Sequence, residues 1–228
     1  MTLATKTKED QISDFVKQVF ADTKAILTDI HVVCKSGEHG NAYVNKDAVY
    51  VYPDAISSLC TVIARAFERQ GVEVVIAPAT GGIVLSQWVA SKLTGLSSGE
   101  DVLALYADKE KDEKGEDGFV IKRGYEELLV GKRVLILEDV LNTGDSAKKV
   151  VQKVKEAGGI VIGLGALCNR GGVTAETLGV PTLYSLLNIT LSTWPEEECP
   201  LCKADVPINT KVGHSKDFFA KMAAMKNQ

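Results

Sequence analysis

The stretch VLILEDVLNTGDS, residues 134–146, decides the fold. Val134 to Leu137 run without a polar interruption, and Glu138 and Asp139 follow at once. A short, continuous apolar run bounded by a turn reads as a strand buried on both faces. Asn142, Thr143, Gly144, Asp145 and Ser146 then bring turn residues and helix-starting side chains, so a helix is expected to about Ala157. A strand buried on both faces needs helices on either side of its sheet.

Working outward, the same rhythm recurs. EVVIA (73–77), VLALYA (102–107), RVLILE (133–138), IVIGLGALC (160–168) and PTLYSLL (181–187) are apolar runs of strand length. Helices are expected at 82–94, and from Pro53 through Ile56, Leu59, Cys60, Ile63 and Phe67 to a stop at Gly71. Apolar strands alternating with helices give an α/β fold, an open parallel sheet flanked by helices, with ligands beyond the carboxyl ends of the strands. Ile12, Phe15, Val16, Val19 and Phe20 recur at helical spacing, and short extended pieces are expected at 30–34 and 43–51. The expected division is an N-terminal helix and hood-like segment (1–52), an α/β core (53–193) and a tail packed on the core (194–228).

Composition narrows the class. The 228 residues carry 26 Lys and Arg against 30 Asp and Glu, a net charge of −4. Nucleic acids and anionic membranes call for a basic surface, so neither is an expected partner. No apolar run approaches the ~18 residues of a membrane span. The first residues contain no apolar signal core, and the five cysteines are an odd count. The expected setting is therefore a reducing cytoplasm.

The chemistry of 134–146 is specific. Adjacent carboxylates at a strand end accept hydrogen bonds from a vicinal diol, such as two ribose hydroxyls, directly or through a divalent ion. The following turn offers backbone N–H groups, hydroxyls and a helix N-terminus, an anion site. A Thr-Gly-Asp-Ser turn alone is an ordinary helix start capped by Asp145 or Ser146. Two acids directly behind four apolar residues shift the reading to a 5-phosphoribosyl site.

This segment resembles the 5-phosphoribosyl 1-diphosphate (PRPP) motif of type I phosphoribosyltransferases. CKSGEHGNAYVNK (34–46), APATGGI (77–83) and CNRGG (168–172) stand in that family's order and resemble its orotate-specific members most. The resemblance implies the type I phosphoribosyltransferase fold and transfer of phosphoribosyl from PRPP to orotate, in pyrimidine biosynthesis. It implies that Glu138 and Asp139 bind the ribose hydroxyls, with Asp139 catalytic beside the anomeric carbon. Val140, Leu141, Asn142, Thr143, Gly144, Asp145 and Ser146 would wrap the 5′-phosphate, with Asn142 also near the base. Lys35 would lie beside diphosphate and base, the backbone of Tyr43 and Val44 would hold the orotate carboxylate, and Arg170 would face it. Thr80 and Gly81 would bind diphosphate, although they stand where many orotate enzymes have an aromatic–lysine pair.

The run DKEKDEKGED (108–117) holds three lysines and six acids, net −3, and composition reads it as a solvated loop. By position it resembles the family's catalytic lid, which closes over a neighbouring subunit's site. Lys109 and Lys111 would then be catalytic at the diphosphate and Lys114 a further contact; the family's lid histidine is missing. The resemblance also implies Mg²⁺, held mainly by substrate near Glu138 and Asp139, with no dedicated cage, and a homodimer. Two alternatives stand beside this reading: a phosphoribosyltransferase for another base such as a purine, and a non-catalytic PRPP or nucleotide sensor.

Cys199-Pro200-Leu201-Cys202 is a single Cys-x-x-Cys. A zinc site needs two further ligands, and His214 with a distant cysteine is the best set the sequence offers. Two thiols in a tail turn is the expectation. His31 is expected to be structural and His39 to lie near substrate. Trp88 and Trp194 read as packing residues.

Overall fold

The computed structural model describes residues 6–97, 101–111, 115 and 117–226. In chain order the elements are α1 (Lys8–Asp22), β1 (Ile26–Val33), β2 (His39–Val44), α2 (Asp47–Tyr50), α3 (Pro53–Phe67), β3 (Val74–Pro78) and α4 (Gly81–Leu96). There follow β4 (Leu103–Lys111), β5 (Asp117–Val120), β6 (Arg133–Leu141), α5 (Asp145–Glu156), β7 (Ile160–Asn169), α6 (Ala175–Leu178) and β8 (Leu183–Asn188). The chain finishes with β9 (Thr193–Trp194), a 3-10 turn (Glu196–Glu198), α7 (Pro200–Lys203) and α8 (Ser215–Lys226). They form two compact units: the chain up to Val19 with Tyr50–Ile189, and Phe20–Val49 with Thr190 onward.

The first unit is built on a six-stranded sheet of order β5-β4-β3-β6-β7-β8. Five strands are parallel, and β5 returns antiparallel along β4. All five residues of β3 and Val134 to Asp139 of β6 are buried, as expected of a sheet covered on both faces. Helix α4 packs on β3 and β4, α5 on β5, β6 and β7, and α3 on β7 and β8. In β7, Gly163 and Gly165 leave one strand face bare. A Cβ there would stand 2.6 Å from Cε1 of Phe67 and 2.8 Å from Cγ2 of Ile63, so the α3 side chains fill the space instead.

The second unit has a three-stranded antiparallel sheet of order β1-β2-β9. Val33 pairs with His39 and Leu27 with Tyr43, while β9 reaches only His39 and Gly40. The segment after α7 follows β1: the Asn209 N–H donates to the His31 carbonyl (2.7 Å) and the His214 N–H to that of Val33 (2.8 Å). Helix α8 packs on β1.

The structure corrects several expectations. Residues 194–226 are not a separate tail: they share a compact unit with residues 20–49, because β9 adds to the β2 edge and the later segment bonds to β1. The extended piece expected at 43–51 ends at Val44, where Asn45 and Lys46 carbonyls accept from Ala48 and Val49 and start a helical turn. The stretch 108–111 is strand, not loop, because β5 provides a hydrogen-bonding partner that composition does not reveal. Strand β6 runs three residues past Glu138, since β7 continues beside it. His214 lies by Asp217 (3.1 Å), and the residues that meet Cys199 and Cys202 are His31 and His39.

Two measurements check this packing. Gly165→Ala forces a methyl against Ile63 and Leu137 and should cost about 1–3 kcal/mol in urea unfolding; a neutral result would contradict the close approach of α3 to β7. Glu73 accepts from Lys132 Nζ (2.8 Å) and the Arg133 N–H (2.9 Å), and the Lys132 bond foremost holds its carboxyl below the ordinary pKa. A depressed carboxylate stabilises above its unfolded pKa and loses this as pH falls through the folded value. Glu73→Gln should therefore lower the thermal midpoint at pH 7, and its gap to wild type should close below about pH 4.

Candidate active site

Four chain segments leave the carboxyl ends of neighbouring parallel strands: those after β3, within β4 and after β6 and β7. At the end of β6, Glu138 and Asp139 are each only 7% exposed. Backbone N–H groups orient both: the Asp139 N–H donates to Glu138 Oε1 (3.1 Å) and the Val140 N–H to Asp139 Oδ1 (2.6 Å). Val140 and Leu141 still belong to the strand, paired with Cys168 and Asn169, and Leu141 is a core side chain. Of the stretch 140–146 expected to wrap a phosphate, Val140 and Leu141 are thus strand, and the turn itself spans 142–144 before α5.

This strand end is held by backbone contacts. The Leu141 carbonyl accepts from the N–H groups of Arg170 (2.9 Å) and Gly171 (3.3 Å). A Cβ on Gly171 would stand 1.6 Å from the Asn142 carbonyl oxygen, so only glycine fits. The buried Asn169 amide clips its own loop, donating to the Val173 carbonyl (2.8 Å) and accepting its N–H (3.0 Å). Gly144 has φ +81°, and a Cβ there would meet Leu178 at 2.9 Å and Val173 at 3.1 Å. It stands at the N-cap of α5 in place of the expected Asp145 or Ser146, and no side-chain cap bond forms there. The Thr143 hydroxyl donates to the Asp145 carboxylate (2.8 Å). Asn142, Thr143, Asp145 and Ser146 are exposed, around the first N–H groups of a three-turn helix, where an anion is favoured.

After β3 the chain turns within four residues into α4. The Ala79 N–H donates to the Ala107 carbonyl (2.8 Å), and the Ala79–Thr80 peptide is cis. A Cβ on Gly82 would lie 2.6 Å from that of Ala77. Thr80 is exposed and Gly81 opens the helix.

Strand β4 pairs with β3 as far as Ala107, and Asp108 to Lys111 continue beyond it against β5. Side chains alternate along this arm. Asp108 is ion-paired with Arg123, and Glu110 with Lys122 (2.8 Å). The Arg123 guanidinium also lies 5.0 Å over the Tyr106 ring, itself edge-to-face with Tyr125 (5.8 Å). Lys109 and Lys111 fall on the opposite face and are exposed; Lys114 lies outside the described residues.

The first unit thus carries Glu138, Asp139, the 142–146 loop, Thr80, Gly81 and Arg170 at the carboxyl ends of neighbouring strands, and Lys109 and Lys111 on the β4–β5 arm. Lys35, Tyr43 and Val44 belong to the second unit. Lys35 is exposed in a turn closed by Cys34 and Glu38 backbone bonds. Tyr43 and Val44 pair with Leu27 and Ile26 on β2, on a stretch that β9 does not cover. His39, expected near substrate, is fully buried. Sequence reading missed Asn169, Gly171, Lys122 and Arg123. The Gly-Gly after Arg170 was the available signal for the second of these.

Comparison with known proteins gives concordant matches. A family model described as phosphoribosyl transferase domain matches residues 54–197. The orotate phosphoribosyltransferase of Desulforamulus reducens is 36% identical over 189 residues, 83% of this chain and 91% of that protein. That of Caldicellulosiruptor bescii is 34% identical over 192 residues, 84% and 92% of the two chains. Among solved structures, orotate phosphoribosyltransferase from Aeropyrum pernix superposes with a TM-score of 0.59 at 22% identity, covering 76% of this chain and 93% of that one. Adenine phosphoribosyltransferase from Thermoanaerobacter pseudethanolicus gives 0.57 at 19%, covering 76% and 99%.

Gly171→Ala should separate the turns after β6 and β7 while the sheet survives. Hydrogen exchange should then show lost protection at the Arg170 amide and retained protection within β3 and β6. Unchanged protection at Arg170 would contradict the clamp.

Proposed function

Since the chain belongs to the phosphoribosyltransferase family, we propose that it transfers the 5-phosphoribosyl group of PRPP to orotate, giving orotidine 5′-monophosphate and diphosphate. The observation that carries this is the β6 end: two buried carboxylates followed, within one clamped turn, by an open helix N-terminus. Diol acceptors and a phosphate cradle are thereby fixed on one short backbone segment. The orotate enzymes at 34–36% identity support the choice of base. The fold alone does not make that choice, since an adenine enzyme superposes as well.

In this reading the α5 N-terminus, with Thr143 and Ser146, holds the 5′-phosphate and sets the position of the sugar. Glu138 and Asp139 accept from the ribose hydroxyls, and Asp139 lies beside the anomeric carbon as positive charge develops there. The C1–O bond to diphosphate breaks and the C1–N bond to orotate forms. Lys109 and Lys111 neutralise the leaving diphosphate from the exposed face of the hairpin, with backbone N–H groups of Thr80 and Gly81 on its other side. Arg170 faces the orotate carboxylate, where a planar fork suits two oxygens. The roles of Lys35, Tyr43 and Val44 rest on the motif resemblance alone. Adjacent, buried carboxylates are hard oxygen donors that suit Mg²⁺. Glu138 and Asp139 would hold it jointly with substrate, and it would add positive charge at the diphosphate and ribose oxygens.

Glu138→Gln with Asp139→Asn should abolish diphosphate release with orotate, PRPP and Mg²⁺ while the far-ultraviolet spectrum is retained. Full turnover would sink the assignment. Lys109→Ala with Lys111→Ala should lower kcat by about 10²–10³. Arg170→Ala should raise the KM for orotate far more than that for PRPP. In a homodimer whose hairpins serve the neighbouring site, mixing the carboxamide double variant with the lysine double variant should restore about a quarter of wild-type activity. No recovery after verified subunit exchange would place the hairpin in its own subunit's site.

A further inference from the structure

The phosphoribosyl site uses neither the Cys199/Cys202 pair nor the His31/His39 pair, yet in the second unit the four meet. His31 on β1 and His39 on β2 are diagonal neighbours across an antiparallel pair whose register sets Val33 opposite His39. Strand β9 sets Trp194 opposite His39. Five residues later the chain reaches Cys199, the N-cap of α7, with Cys202 one helical turn on. Both sulfurs approach the His31 ring.

His31 Nε2 and His39 Nδ1 are 2.8 Å apart. Cys199 Sγ lies 3.7 Å from His31 Nε2, and Cys202 Sγ lies 3.7 Å from His31 Nε2 and 3.2 Å from His39 Nδ1. One donor atom from each residue falls within 4.8 Å of all the others. A tetrahedron with Zn–N near 2.05 Å and Zn–S near 2.3 Å has edges of about 3.3–3.8 Å, the range around which these separations fall. His31, His39 and Cys199 are at most 2% exposed. The second ring nitrogen of His31 is fixed as well: Nδ1 is 2.7 Å from the Val206 carbonyl. It must donate there, so the Nε2 lone pair is left toward the cluster, the arrangement of a metal-bound imidazole.

We propose that His31, His39, Cys199 and Cys202 bind one Zn²⁺ in a closed structural site. Two thiolates and two imidazoles at tetrahedral spacing favour zinc over hard cations such as Mg²⁺. Four protein ligands leave no position for a catalytic water. The unit that holds them has about 70 residues, near the size below which an apolar core needs a staple. Its metal would join the β1–β2 hairpin to the segment beginning at Cys199, which also reaches β1 through the His31 ring at the Val206 carbonyl and through the Asn209 and His214 N–H groups at the His31 and Val33 carbonyls.

The test uses the full-length chain, free of any histidine tag and purified reduced without chelator. Elemental analysis should find about one zinc per chain. Chelation should lower the thermal midpoint, and added Zn²⁺ should restore it. Co²⁺ added to the metal-depleted chain should give thiolate-to-cobalt absorption in the near ultraviolet and tetrahedral bands in the visible, saturating at one equivalent. Cys199→Ser with Cys202→Ser should lose both signals. The proposal is overturned if the wild-type chain carries less than about a tenth of a zinc and shows no cobalt–thiolate absorption. The four residues would then be a bare hydrogen-bonded cluster or, if mass spectrometry shows two hydrogens lost, a Cys199–Cys202 disulfide.

Discussion

The turn after β6 and the turn after β7 touch backbone to backbone. The Asn142 carbonyl occupies the space where Gly171 would carry a Cβ, and the Leu141 carbonyl is tied to two N–H groups of the neighbouring turn. A loop that presents its own N–H groups to an anion has spent its local hydrogen-bonding capacity outward. It needs an external frame to keep its shape. Here the frame is the next loop, itself braced by the Asn169 clip and by Val173 and Leu178 against Gly144. The carboxylates of Glu138 and Asp139 lie directly behind this clamp, so the ribose and phosphate ends of the expected substrate are referenced to one rigid backbone segment. Such preorganisation matters for a reaction whose catalysis is mostly positioning and charge.

How much of this was legible depended on whether the signal was local. The strands of the core read correctly because burial on both faces demands unbroken apolar runs, as in VVIAP and VLIL. The strand end and the turn into a helix at 138–146 were legible because that signal lies within nine residues. The extent of β6 did not, since Val140 and Leu141 are strand only because β7 is longer than expected and pairs with them. The second unit was read as a hood and a separate tail because its pairings join distant segments. Cys202 meets His31 and His39 across 171 and 163 residues. His214, near in sequence, was the wrong partner. Spacing finds the half of a metal site that one turn contributes, and the other half depends on topology.

The acidic hairpin shows the same division between composition and geometry. Residues 108–117 carry a net charge of −3, which sits badly with binding an anionic leaving group. That excess lies in 112–117, since Asp108, Lys109, Glu110 and Lys111 sum to zero, and along 108–111 the pleat sorts the charges. Asp108 and Glu110 fall on one face and are met by Arg123 and Lys122, beyond the run in sequence. Lys109 and Lys111 fall on the other. Exposed pairs of this kind add little to stability. Their consequence is directional: they neutralise the acids on the face away from the lysines, and Arg123 is held there by the Tyr106 ring as well. Potential near a surface is dominated by charges within about 10 Å at ordinary ionic strength. Along 108–111 the sign that a diphosphate meets is therefore set by which face it approaches.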